Sequence, residues 1–137
     1  EAPEGWIVTG YPWYAIKTAE HDAFLTAYQG KFKDYPRLGT IVGYNAIQSL
    51  AAGIQKAGST DTEKLIAAFK GLDVNTPWGP ITYRTQDHQS TMGAFVGKTT
   101  YDKAAKRGVM TNFYYADGKD FQPSDEAVKQ LRPASAQ

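Results

Sequence analysis

Apolar side chains recur at three- and four-residue steps through the stretch Gly39–Gly58. Ile47, Leu50, Ala51, Ile54 and Ala57 fall on one stripe of an α-helix, with Gln48, Gln55 and Lys56 on the wetter side. Tyr44 stands one turn ahead of Ile47 and Gln48. The small residues Ala46, Ala51, Ala52 and Gly53 leave room for a close neighbour, and Gly58 tolerates the left-handed geometry that ends a helix. The pattern predicts a central helix lying on a sheet through that stripe.

Two more helices follow from the same periodicity. Ala19–Phe32 sets Phe24, Leu25, Tyr28 and Phe32 on one face and Glu20, Asp22, Gln29 and Lys31 on the other, with Asp34-Tyr35-Pro36 as the stop. After the central helix, Thr60 and Glu63 stand at capping-box spacing. The third helix carries Leu65, Ile66 and Phe69 inward and stops near Gly71.

Strand signals occupy the rest. Glu1–Gly5 reads as a polar turn, and Trp6-Ile7-Val8-Thr9, aromatic and β-branched, as a buried strand. Asn75-Thr-Pro-Trp-Gly-Pro80 predicts a tight turn without regular structure, because two prolines and a glycine restrict it. Ile81–Arg84, Thr91–Thr100 and Val109–Tyr115 are β-rich. Ala116–Lys119 is a turn, Ser124 caps a short helix to Leu131, and Pro133–Gln137 is a frayed tail. No internal repeat or low-complexity segment interrupts the chain.

Composition narrows the class. The 137 residues fit one domain, able to bury roughly two-thirds of the unfolded surface if it closes on itself. Apolar content of 42%, charged content of 21% and a net charge of +1 fit a globular protein and argue against nucleic-acid binding through a basic surface. The densest basic group, Lys103 to Arg107, reads as a solvated turn. With no cysteine, disulfides, thiolate chemistry and cysteine-ligated zinc are excluded. No apolar run is long enough to span a bilayer, and no basic segment followed by an apolar core opens the chain as a signal peptide would.

Candidate chemistry is thin. His88 beside Asp87, with Ser90 two residues on, offers catalytic residue types, but neighbours in a strand point to opposite faces, and a polar connector is the favoured reading. His21-Asp22 falls on the wet face of the first helix, and no second histidine stands at ligand spacing, so no metal site is expected. The glycines form neither a dinucleotide nor a phosphate-loop pattern. Nothing here suggests an enzyme. The aromatic loop Gly10-Tyr11-Pro12-Trp13-Tyr14 is read, by itself, as packing before pocket lining.

Three segments taken together change that reading: Glu4–Thr9, then Gly43-Tyr44-Asn45-Ala46 running to Lys56-Ala57-Gly58-Ser59, then Thr76–Tyr83. With Asp87-His88-Gln89, Tyr115–Lys119 and Leu131-Arg132-Pro133, their order and spacing resemble the C-terminal part of the type I periplasmic-binding-protein family. The branch resembled includes the leucine/isoleucine/valine-binding proteins of ABC transporters. The resemblance implies an α/β fold of two Rossmann-like lobes joined by chain crossings, with ligand in the cleft between them. It implies that this chain is only the last third of such a protein and incomplete alone, which would account for the absent targeting signal.

By that resemblance, residues 1–14 hold the last strand of the C-terminal lobe and a crossing. Residues 15–86 supply three helices and a strand of the N-terminal lobe, and residues 87–137 return through a final crossing to the C-terminal lobe. Tyr11, Trp13, Tyr14, Gly39, Thr40 and Tyr44 become the expected ligand-binding residues, with Gly39 enlarging the pocket for a bulky or aromatic ligand. Gly10, Asp87, His88 and Gln89 become the expected hinge. The implied function is the solute-binding component of a bacterial ABC importer, taking an amino acid or related small carboxylate. No cofactor is implied, the partner is a membrane permease, and the place is periplasmic or otherwise extracytoplasmic. Sheet edges and apolar helix faces left open predict either the missing N-terminal part of the same protein or a second copy in an intertwined dimer. Two rival readings are a ligand-sensing domain of a regulator with the same fold and, more remotely, a hydrolase using Asp87 and His88.

Overall fold

The computed structural model describes residues 3–132. The expected frayed tail Pro133–Gln137, and the first two residues of the expected opening turn, lie outside the described residues. Strand β1 spans Ile7–Gly10 and leads through the aromatic loop to helices α1 (Ala19–Phe32), α2 (Leu38–Ala57) and α3 (Thr62–Phe69). Strands β2 (Asp73–Thr76) and β3 (Gly79–Thr82) form a hairpin, and β4 (Ala94–Asp102) and β5 (Arg107–Ala116) form a longer one. A 3₁₀ turn at Gly118–Phe121 and helix α4 (Asp125–Leu131) complete the described chain. No helix among the described residues is long and apolar enough to cross a membrane.

The larger sheet has the order β1-β4-β5 and is antiparallel throughout, with Ile7 opposite Lys98 and Phe95 opposite Tyr115. β1 is therefore an edge strand: Trp6 and Ile7 are 65% and 75% exposed, against the expectation of a buried strand. The β-branched signal was right about the strand and silent about its neighbours. The predicted structureless turn at Asn75–Pro80 is also corrected. Only Pro77 and Trp78 make the turn, while Asn75 pairs with Pro80 and Thr76 with Gly79. Proline is compatible with strand structure at a sheet edge, where its missing N–H breaks no ladder bond. Gly79 takes φ +120°, a conformation other residues rarely adopt.

Helix ends follow local chemistry. The Thr18 hydroxyl accepts from the His21 N–H at 3.2 Å to cap α1, and the Ser124 hydroxyl accepts from Ala127 to cap α4 as expected. α3 is capped by Asp61, whose carboxylate accepts from the Lys64 N–H at 3.1 Å, one residue beyond the expected Thr60. Gly58 closes α2 in the left-handed region, φ +60°.

The central helix turns a different face inward from the one its apolar stripe predicts. Ile41, Asn45, Ser49 and Gly53 are buried, whereas Ile47 is 68% and Leu50 44% exposed. Gly53 approaches the Phe69 ring so closely that a Cβ has no room, which explains a glycine at that point. Two small cores result. Phe24, Ile41 and Trp78 form one, with Tyr11, Met92, Phe95 and Tyr115 packed against it; Leu72, Val74 and Ile81 form the other. Phe32, expected inside, is 55% exposed, and His21, expected on the wet face, is fully buried. In both helices the buried side is the one that reaches the aromatic loop and the hairpins, and no other described element packs over the predicted stripes.

Two glycines give a direct test. At Gly93 a Cβ would run into the Ala116 carbonyl oxygen, whereas at Gly43 it meets open space. In this chain Gly93→Ala is expected to destabilise by about 1–3 kcal/mol through forced backbone movement. Gly43→Ala is expected to stabilise by about 0.5–1 kcal/mol through helix propensity. Urea-denaturation midpoints of the two variants check both signs.

Candidate functional site

The end of β1 places the aromatic loop. Gly10 lies under the Met110 side chain, where a Cβ would come to 2.7 Å of Cε and the flexible methionine end would have to move aside. Tight hydrogen bonds, Trp13 N–H to the Tyr11 carbonyl and Ala15 N–H to the Pro12 carbonyl, both at 2.9 Å, then coil the loop back over the sheet. The Tyr14 hydroxyl accepts from the Met110 N–H at 2.6 Å and donates to the Met110 carbonyl at 3.1 Å, fastening the loop to β5. Trp13 stacks on Tyr35 with centroids 5.5 Å apart and planes 12° from parallel.

These residues wall a cleft of about 430 Å³ between the aromatic loop, the start of α2 and the start of β5. Of the expected ligand residues, Tyr11, Trp13 and Tyr14 line it; Tyr35, Arg107 and Met110 join them without a sequence signal. Arg107, expected in a solvated turn, is the first residue of β5 and its guanidinium lies over Trp13 at 4.6 Å and Tyr14 at 5.4 Å. A contact across so many residues has no local signature. The cleft has two arginines, Arg37 and Arg107, on its walls and no acidic side chain.

Tyr11 is shared between the cleft and the core. Its ring meets Trp78 at 5.7 Å, and its hydroxyl shares a 2.6 Å hydrogen bond with His21 Nε2. Burial pushes the Tyr11 hydroxyl well above its ordinary pKa, so it stays protonated. Burial lowers the His21 pKa, against the raising effect of Asp22, so the imidazole is held neutral.

The remaining expected ligand residues are not brought to this cleft. Gly39 and Thr40 sit in the first turn of α2, where Thr40 Oγ1 accepts from the Arg37 N–H at 3.4 Å, and open space surrounds Gly39. Tyr44 faces a separate cavity of about 520 Å³ with Phe24, Tyr28 and Phe32, its ring 4.8 Å from Phe24. That cavity opens on the uncovered helix faces.

Asp87, His88 and Gln89 belong to a pinned turn. Asp87 takes Arg84 Nε at 3.1 Å and pairs with its Nη2, while the Gln89 N–H donates to Asp87 Oδ1 at 3.0 Å. Arg84 holds the Asp87 carboxyl below its ordinary pKa and also donates to the Pro123 carbonyl. His88 sits in the left-handed region, φ +58°, with Nε2 buried and without a partner. Tyr83 bridges Ser90 across the turn, so the chain passes to β4 through Thr91–Gly93.

The chain is similar to known proteins. A family model described as Periplasmic binding protein matches residues 1–107. The leucine-, isoleucine-, valine-, threonine-, and alanine-binding protein of Pseudomonas aeruginosa is 29% identical over 83 residues, 61% of this chain and 22% of that protein. The structure of an ABC-type branched-chain amino acid transporter from Rhodopseudomonas palustris is similar with TM-score 0.75 and 30% identity, over 85% of this chain and 32% of that one. A leucine-, isoleucine-, valine-, threonine-, and alanine-binding protein from Brucella ovis, in a closed conformation, shares the fold with TM-score 0.67 at 17% identity, over 88% of this chain and 33% of its own. The chain thus spans no more than about a third of the length of these relatives.

The buried histidine has a measurable consequence. A folded pKa below the unfolded value of 6.5 means that the unfolded chain binds the additional proton first. Stability contributed by neutral His21 is therefore fully present above about pH 6.5 and falls as pH drops toward the depressed folded value. Urea midpoints measured from about pH 8 down to pH 5 are expected to decline, and His21→Gln to flatten that decline. An equal slope in the variant assigns the dependence to another group.

Proposed function

This chain belongs to the periplasmic binding protein family, in its type I, leucine-binding-protein-like branch, and from that premise we propose that it is part of the solute-binding component of an ABC importer. Its helices and strands are a portion of the two-lobed α/β architecture of that branch. The observation that carries the reading is the family match along residues 1–107. The ligand is a small carboxylate-bearing solute, an amino acid or a relative of one, held in the inter-lobe cleft with Tyr11, Trp13 and Tyr14 on one wall. Gly39, Thr40 and Tyr44 approach the ligand only as the lobes close. The protein acts outside the cytoplasm, delivers its ligand to a membrane permease, and makes or breaks no bond in it.

Binding does its work by closure. A ligand touching both lobes favours the closed state by the difference between its affinities for the two states, and the permease reads that shape. Gly10 and the Asp87–Gln89 turn flank the connections that absorb the backbone change, with Thr91–Gly93 as the moving link. The turn itself moves as a unit, because Arg84 ties it to Asp87 and Pro123.

The uncovered stripe of α2 fits the same reading. Ile47 and Leu50 are exposed here, and in the full gene product the preceding polypeptide covers them. Ile47→Glu is then expected to change the stability of this chain alone by no more than about 0.5 kcal/mol. In the full gene product the same change is expected to cost about 2–4 kcal/mol, as a charge placed on a buried surface does. Equal effects in both would overturn the covering. The function is tested by thermal-shift screening of the full gene product against amino acids and small carboxylic acids, where a saturable rise in Tm is expected. A full panel without any shift would overturn solute binding.

A further inference from the structure

His21 is fully buried among the described residues, so nothing outside those residues can touch its ring. The Thr18 hydroxyl fixes its backbone N–H at the start of α1, and the ring meets Phe24 and the edge of Tyr11 with centroids at 6.3 and 5.6 Å. Nε2 shares the 2.6 Å hydrogen bond with the Tyr11 hydroxyl, whereas Nδ1 is buried without a partner. Tyr11 in turn lines the cleft of about 430 Å³. His21 does not line it, and so acts on that wall only through Tyr11.

The protons of this pair are constrained. A neutral imidazole has one N–H and one lone pair. If Nε2 accepts from the Tyr11 O–H, only the Nδ1–H lacks a partner; if Nε2 donates instead, Nδ1 and the Tyr11 proton both lack one. The first arrangement leaves fewer buried polar groups unpaired, so Tyr11 donates to His21. An imidazolium cannot accept. Protonation sets an Nε2–H against the Tyr11 hydroxyl, whose own proton then has no acceptor, and leaves the Nδ1–H unpaired on a buried cation. Movement of Tyr11 into the cleft relieves this, because its hydroxyl meets water there. Burial lowers the His21 pKa, Asp22 raises it and Lys17 lowers it, and both of these charged neighbours are exposed. From the other elements packed here, Phe24, Ile41 and Trp78 bring no ionisable group, and Tyr11 stays protonated.

We propose that His21 is a pH-operated latch on the aromatic wall: the neutral ring holds the Tyr11 hydroxyl and keeps Tyr11 in place, and the protonated ring releases Tyr11 toward the cleft. His21 is thus a positioning residue. As a control on solute binding the latch rests on reading the cleft as the solute site; the movement of Tyr11 does not. Its direction follows from the proton count: acidification loosens the wall, and raising the pH restores it.

Hydroxyl-radical footprinting of the full gene product, read by mass spectrometry at Tyr11 and Tyr83, tests it. Tyr83 is the internal reference, packed on Phe69 at 5.0 Å and absent from the cleft walls. From about pH 8 to about pH 5, Tyr11 labelling is expected to rise severalfold while Tyr83 labelling stays level. His21→Gln is expected to abolish the pH response of Tyr11, whatever its level, because an amide does not titrate in this range. Tyr11→Phe approaches the pair from the other side: without the hydroxyl that donates to the neutral ring, the NMR titration midpoint of His21 is expected to move up. A flat Tyr11 profile in the unmodified protein, or a rise that His21→Gln leaves unchanged, would overturn the latch. So would Tyr11 and Tyr83 rising together, which assigns the exposure to unfolding, or a His21 midpoint that Tyr11→Phe does not raise. Should His21→Gln fold poorly, the unmodified profile and the Tyr11→Phe midpoint decide by themselves. None of these results touches the solute-binding reading, which stands or falls with the thermal-shift panel.

Discussion

One aromatic contact holds the two halves of this chain together. Trp78, at the tip of the β2–β3 hairpin, is wedged between Tyr11 of the aromatic loop and Phe95 of the larger sheet, at 5.7 and 5.8 Å. Its position is set locally: the Trp78 N–H donates to Thr76 Oγ1 at 3.2 Å, and that hydroxyl donates to the Gly79 carbonyl at 2.7 Å. Each such ring pair is worth about 0.5–1.5 kcal/mol beyond the area it buries. The cores on either side are small, so this junction determines how the helices meet the sheet. Phe95 extends the contact to Tyr115 at 5.2 Å, carrying it across β4 to β5.

The cleft inherits its shape from that junction. With one side of the Tyr11 ring against Trp78 and its hydroxyl on His21, the loop has little freedom where it leaves the core. Tyr14 fastens the other end to the Met110 backbone. Between the two anchors, Trp13 is presented outward against Tyr35 and under Arg107. A wall made this way is preorganised, with less side-chain freedom left to lose than a loose loop has. The aromatic residues therefore belong to core and cleft together: Tyr11 is half core, and Trp13 is nearly all wall.

Much of the fold was legible because its causes are local. Helix periodicity, the Ser124 cap, the Gly58 stop and the β-rich runs depend on neighbours within a few residues. The cluster of rings after Thr9 was legible too, because Tyr11, Trp13 and Tyr14 stand together in the chain. Arg107 was not. Its partner Trp13 is distant in the chain, and a lysine- and arginine-rich segment looks the same from within whether its last residue turns to solvent or folds over a ring. The separation of Tyr44 from the cleft was hidden for a related reason, since helix spacing says which residues share a face but not which neighbour that face meets.

Sequence alone determined the helices and the strands other than β2 and the start of β3, the family resemblance, and the concentration of aromatic residues just after the first strand. Those properties rest on backbone preference and side-chain period, which act over one or two turns. Tertiary structure decided which stripe of α2 is buried, that β1 is an edge, that His21 lies inside, and that Arg107 closes on the aromatic wall. A hydrophobic stripe states only that some surface should cover it; where the available surface is the Trp78 hairpin, the helix turns Asn45 and Ser49 inward and leaves Ile47 and Leu50 open.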